Sequence, residues 1–219
     1  MLARIQRRLA ALYDLEPMPD VECFVCGPEL AAELAGDDAA RRREVLLVLE
    51  DDDGVHVALY LAPEVLAELA RRRPAFDAVQ LATEGVSHFL YLAFRERNAE
   101  PVSRLELELQ AEVDKYAVGL GVGAGALAGN GVGVFRERQR LLRERSRVLR
   151  ERLFARARFL DDPGTDEGER YRLAHRAAAR YAAQLEARYV DAGRLEELAL
   201  ELRRFYRVGA RDKLALAAQ

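Results

Sequence analysis

The chain has 219 residues, half of them apolar and 32% charged, the make-up of one ordinary globular domain or two small ones with enough apolar surface to bury a core. Its 34 basic and 37 acidic residues leave a net charge of -3, so no overall field directs it to nucleic acid or an anionic membrane, and any such binding has to be local. Lys115 and Lys213 are the only lysines among many arginines, and with abundant Ala and Leu this reads as the bias of a high-GC bacterial genome. No nucleotide-binding, kinase, protease or zinc-finger signature occurs.

Residues 1–15 carry Leu2, Ile5, Leu9 and Leu12 at helical spacing with Arg4, Arg7 and Arg8 opposite, an amphipathic helix rather than a secretory signal. Two cysteines, Cys23 and Cys26, are too few for a disulfide framework and point to the cytoplasm. Residues 21–26 read as a strand, and a strand turns residues three apart to opposite faces, so a redox or metal-binding Cys pair is not expected. A helix follows over 28–35 and a polar linker over 36–43. Residues 44–49 and 55–60 then flank Asp51-Asp52-Asp53-Gly54, and Asp-Gly is the turn that joins antiparallel strands. The acidic run lacks the alternate acids and distal Glu of a calcium loop.

Beyond Ala62 every segment reads as helical. Strands confined to the first 60 residues predict an α+β protein, with a small antiparallel sheet unit over 1–73 packed on a larger helical bundle over 74–219. Asp77 to Gln80 has capping-box spacing after Pro74, and Ser103 to Glu106 has it after Pro101. The first of these two helices is apolar on most sides, yet Gln80, Glu84, Ser87, His88 and Tyr91 lie along one stripe. A polar stripe in a buried helix needs partners or a task. Gly85, beside Glu84, costs a helix about 1 kcal/mol relative to Ala, which predicts a close approach by another backbone or a ligand.

On the next helix Glu108, Glu112 and Lys115 share a face. Carboxylates and an imidazole projecting inward from facing helices build bundle metal sites, and oxygen ligands with one nitrogen suit Mn, Fe or Zn. The candidate ligands of a divalent metal are therefore Glu84, His88, Glu108 and Glu112, with Gln80, Tyr91 and His175 around them. The Glu-x-x-His spacing of di-iron carboxylate proteins is missing. The plainer reading, a buried Glu84–His88 pair with Glu108 and Glu112 facing water or arginines, is preferred on sequence alone.

Residues 119–133 are Gly-rich and uncharged, which predicts a mobile connection in preference to a glycine-faced helix or a membrane contact. Three heptads follow from Phe135, and ten Arg against three Glu between 136 and 158 give that helix a local charge of +7. The apolar stripes place Arg138, Arg145 and Arg152 at the packing face, paired with carboxylates. Arg136, Arg140, Arg143, Arg147 and Arg150 point elsewhere and are candidates for binding an anion or a partner. Two amphipathic helices over 166–189 and 194–207 complete the bundle, and residues 213–219 read as a frayed end.

Taken together, the residues favour a cytoplasmic, non-catalytic interaction or regulatory protein acting on a protein partner or a second copy of itself. The alternative is a divalent-metal-dependent, hydrolase-like enzyme with its site between bundle helices. The third is a nucleic-acid-binding module working through the Arg-rich helix. No catalytic residue is assigned, and a membrane partner is disfavoured.

Overall fold

A computed structural model describes residues 1–36, 42–52, 54–122, 132–157, 159 and 162–219, with the side chains of 132–136 left aside. The order is α1 (Leu2–Tyr13), a single 3-10 turn (Val21–Phe24), β1 (Val25–Cys26), α2 (Pro28–Ala35), β2 (Glu44–Asp51) and β3 (Gly54–Leu61). Helices α3 (Pro63–Leu69), α4 (Phe76–Arg97), α5 (Arg104–Leu120), α6 (Val132–Arg150), α7 (Asp166–Leu185), α8 (Leu195–Arg207) and α9 (Ala210–Leu216) follow. The fold is α+β, a helical bundle against a small sheet.

The sheet has the order β1-β3-β2. Strands β2 and β3 form the expected antiparallel hairpin, with Glu44 opposite Leu61 and Leu46 opposite Leu59. Only Val25 and Cys26 of the expected first strand pair, in parallel with Leu59 and Tyr60. Residues 21–24 instead close a 3-10 turn, because the Asp20 carboxylate accepts from Glu22 N and fixes the chain there. Cys23 is exposed and Cys26 buried.

Helix α4 lies against β2 and β3 and pairs with α5, which also packs on α7. One apolar cluster runs from Leu2 through Leu59 and Tyr116 to Ala217, so α1 shares its core with the helices that follow. The long helices begin where local chemistry tells them to. Ser103 Oγ accepts from Glu106 N while Glu106 Oε2 accepts from Ser103 N, a complete capping box. Thr165 caps α7 through Gly168 N. The expected box at Asp77 does not form, because α4 already starts at Phe76 and Asp77 sits within its first turn. There the Glu68 side chain accepts from Ala75 N instead.

Two expectations about the second half are corrected. Helix α6 turns Ser146 and Leu149 inward, leaves Arg145, Leu141 and Val148 exposed, and only half-buries Arg138. Arg152, also exposed, lies over the ring of Phe76 at 3.8 Å to its centroid rather than against a carboxylate. A polar residue, Ser146, marks the buried stripe because Tyr116 and Glu186 satisfy it, which an apolar count of the heptads cannot show. Residues 213–219 do not fray as a whole. Lys213, Leu216 and Ala217 are buried, and Lys213 Nζ donates to Gln110 Oε1 at 2.5 Å and to the Phe205 carbonyl at 2.7 Å. Most of the Gly-rich segment, 123–131, and part of the polar linker, 37–41, lie outside the described residues.

Candidate metal centre

Helices α4 and α5 run antiparallel, and polar pairs fix their register. At one end Arg95 donates to Glu106 at 2.6 Å, and Tyr91 to the same carboxylate at 3.2 Å. At the other, Lys115 Nζ lies 2.9 Å from Glu84 Oε2. Between these ties His88 faces Glu108, its Nε2 3.9 Å from Glu108 Oε2. One ligand atom from each of Glu84, His88 and Glu108 falls within 4.8 Å of the others. Three of the four candidate ligands therefore converge.

Glu112, the fourth, turns to the side. It accepts from Lys115 at 2.9 Å, and its other oxygen lies 3.7 Å from His175 Nδ1. His175 Nε2 is 3.1 Å from the Phe154 carbonyl. Of the residues expected around the site, Gln80 is buried with its Oε1 unbonded. Tyr91 belongs to the Glu106 group and also donates to the Val208 carbonyl. Ser87 donates to Asp114 at 2.6 Å, as does Tyr13 at close range, so the stripe on α4 serves three polar groups, those of Glu108, Glu106 and Asp114.

Sequence reasoning missed Glu44. It opens β2, its side chain is 7% exposed, and its Oε1 lies 3.4 Å from His88 Nδ1. Gly85 admits it. A Cβ there would stand 3.1 Å from Glu44 Oε1 and 2.8 Å from Leu59 Cδ1, so what approaches Gly85 closely is a pair of side chains from the sheet and not the backbone or ligand that was expected. The signal available in the sequence was that glycine, together with an acid beginning a strand whose other residues up to 49 are apolar.

The electrostatics follow from gathering four carboxylates. Burial, aided by Glu84 and Glu44 and opposed by His88, pushes Glu108 up to about 7. Glu44 is raised by burial as well, against the pull of His88. Burial alone would lower His88, but Glu44, Glu108 and Glu84 outweigh it and hold the imidazole at about 9. Burial works against the charge on Glu112 too, yet Lys115 and His175 bring it down to about 2. The Glu112–Lys115 side is thus an ion pair, whereas on the other side the carboxyls of Glu44 and Glu108 are shifted up and His88 holds its proton more tightly.

That side opens to a cavity of about 820 Å³. Glu44, His88 and Glu108 are at its wall, with Leu46, Val57, Leu92 and Leu107 as apolar lining and Arg42, Arg104 and Arg170 as cations. Glu167 is shared by Arg42 at 3.2 Å and Arg170 at 3.5 Å.

The candidate anion surface on α6 is largely engaged within the chain. Arg140 pairs with Glu137 and Glu144, Arg143 with Asp191, and Arg150 with Glu186. Arg147 is exposed, and the side chain of Arg136 lies outside the described residues. Comparison with protein-family models, curated proteins and solved structures gives no match. Among the described residues no helix is long and apolar enough to cross a membrane.

Proposed function

We propose that this chain is a metal-dependent enzyme of the hydrolytic kind, with Glu84, Glu108 and His88 Nε2 as ligands of one divalent cation. The observation that carries the reading is the setting of the His88 ring. Its Nδ1 lies 3.4 Å from Oε1 of the buried Glu44 carboxylate, an oxygen that has no hydrogen-bond partner, while Nε2 is likewise buried without a partner and faces Glu108. A metal-bound histidine characteristically offers its second ring nitrogen to a carboxylate, which fixes the tautomer and strengthens the bonded nitrogen. Glu44 suits that positioning role.

The spacing supports the same reading. A separation of 3.9 Å is too long for a hydrogen bond, whereas ligands about 2.0–2.2 Å from a shared ion stand roughly 3–3.5 Å apart, so a contraction of about 1 Å would close the shell. Oxygen-rich donors with one imidazole favour Mn, Fe or Zn. Three protein ligands leave a position for water, and His88 and Glu108 border the cavity through which a substrate would reach it. A cation there would supply Lewis acidity and a water of lowered pKa. With Arg42 and Arg170 engaged by Glu167, Arg104 of the lining would receive an anionic portion of the substrate and the leucines an apolar one.

The interaction-protein reading favoured by sequence keeps one supporting observation. Leu30, Leu34, Val48 and Leu49 are exposed and line the same cavity, an apolar edge of the kind that partners cover.

The test is a thermal melt of chelator-treated protein with Mn2+ or Zn2+ added back, beside turnover of ester and phosphoester probes. The enzyme reading expects Tm to rise with either ion, by about 2.7 kcal/mol of stability at a hundredfold excess over Kd. It also expects hydrolysis that needs the metal, and His88→Ala to abolish both. A melt indifferent to chelator and metal would leave the interaction reading in its place.

A further inference from the structure

Lys115 is 9% exposed, and its ammonium lies 2.9 Å from Glu84 Oε2 and 2.9 Å from Glu112 Oε1. Behind it Glu112 Oε2 is 3.7 Å from His175 Nδ1. Two carboxylates and an imidazole on this side repeat the donor types of the Glu84, Glu108 and His88 group, and Glu84 belongs to both. Glu108 and Glu112 stand one turn apart on α5, so that helix offers one carboxylate to each side. His88 comes from α4 and His175 from α7.

The donor types are those of a two-metal centre with Glu84 between the ions, although of the two sets only Glu84, His88 and Glu108 have ligand atoms within 4.8 Å of one another. The second cation, however, is already present and covalently attached. We propose that Lys115 holds the second cation position of this centre, so that the site takes one divalent metal where its donors would otherwise hold two. The inference rests on the metal reading above.

An ammonium differs from a metal at that position in what it does as well as in what it is. It donates hydrogen bonds and offers no open coordination site, so no second water can be activated there. It also does not dissociate. One of the two negative charges on Glu84 and Glu112 stays offset whether the neighbouring metal is present or absent, and the Glu84 carboxylate is held in place before the metal arrives. Removing the side chain leaves two half-buried carboxylates, one of them beside His175, without the cation they share.

Metal per chain after dialysis against Mn2+, in wild type and in Lys115→Ala, tests this directly. One Mn2+ in wild type, two in Lys115→Ala, and one again in Lys115→Ala combined with Glu112→Gln is the expected result. Two in wild type, or one in Lys115→Ala, would overturn the ammonium's role while leaving the metal reading intact. None in wild type would overturn both. Should Lys115→Ala fail to fold, the electron paramagnetic resonance of Mn2+-loaded wild type decides: the hyperfine pattern of an isolated ion supports the proposal, and an exchange-coupled pair overturns it.

Discussion

Glu44 Oε1 lies where Gly85 leaves space for it, 3.1 Å from the point a Cβ at residue 85 would occupy. The sheet and helix α4 therefore meet at the candidate centre only because position 85 has no side chain. Gly85→Ala would improve helix propensity by about 1 kcal/mol, but the fully buried Leu59, whose Cδ1 would be 2.8 Å away, has little freedom to move. Overpacking of this kind costs about 1–3 kcal/mol. We expect Gly85→Ala to lower Tm and to weaken metal binding without removing any ligand, read by a melt and a titration on the same preparation. A variant more stable than wild type would show that Glu44 is not held against His88 by this contact.

The wheel of α6 yields a second test. Guanidinium nitrogens of Arg8 and Arg145 lie 3.8 and 3.9 Å from the point where a Cβ on Gly121 would sit, and burial, then Arg4 and Arg145, lowers the pKa of Arg8. Arg145→Glu should therefore leave Tm unchanged or raise it slightly, within about 0.5 kcal/mol. Ser146→Ala, one residue along, removes the hydroxyl that bonds Tyr116 at 2.7 Å and also Glu186, and should cost about 1–3 kcal/mol. Denaturant melts that rank the two the other way would reverse the assignment of faces.

Much of this fold is legible in the sequence, because its signals are local. Asp-Gly between two apolar runs specifies the hairpin, and Ser103 with Glu106 specifies the start of α5. Glu84, His88 and Glu108 are also legible, since spacing along α4 and α5 puts them on faces that helix pairing then joins. Glu44 is not, because its burial depends on the sheet docking at Gly85, a contact between residues 41 positions apart. Nor is the fate of Lys213, since a lysine near a chain end looks solvated until Gln110 and the Phe205 carbonyl are known to surround it. The heptads mislead because the inward position of α6 is a hydrogen-bonded serine.

Lys213 gives a third prediction. Burial lowers its pKa well below the usual lysine range, and the same polar group holds Asp114, which burial raises to about 6 against donors from Ser87, Tyr13 and Gln110. Deleting residues 209–219 would expose this group along with the sites of Leu216 and Ala217. A loss of at least about 3 kcal/mol is expected, from the apolar burial and the unpaired polar atoms together. A truncated chain that melts with wild type would mean that the tail is dispensable.

The pH dependence of the metal-free protein has a defined sign. His88 at about 9, against an ordinary 6.5, contributes stability fully present below pH 6.5 and lost as pH rises through 9. Glu108 at about 7, against 4.5, likewise contributes below pH 4.5 and loses that contribution by pH 7. The neutral mimic Glu108→Gln should accordingly gain on wild type between pH 4.5 and 7, by up to about 3 kcal/mol. The advantage of wild type over His88→Gln should shrink between pH 6.5 and 9. Metal affinity should run the opposite way, rising with pH, because the ion must displace the same protons. Melts and metal titrations across that range check both slopes, and parallel slopes would contradict the shared site.

In the proposed centre Glu84, Glu108 and His88 Nε2 hold one cation while Glu44 faces the ring from the Nδ1 side. Diffraction from crystals grown with Mn2+, with data collected at the manganese absorption edge, tests it most directly. A single anomalous peak bonded to those three side chains is expected, with Lys115 still between Glu84 and Glu112. No peak there, with His88 bonded directly to Glu44 and Glu108 as a closed ion-pair network, would contradict it.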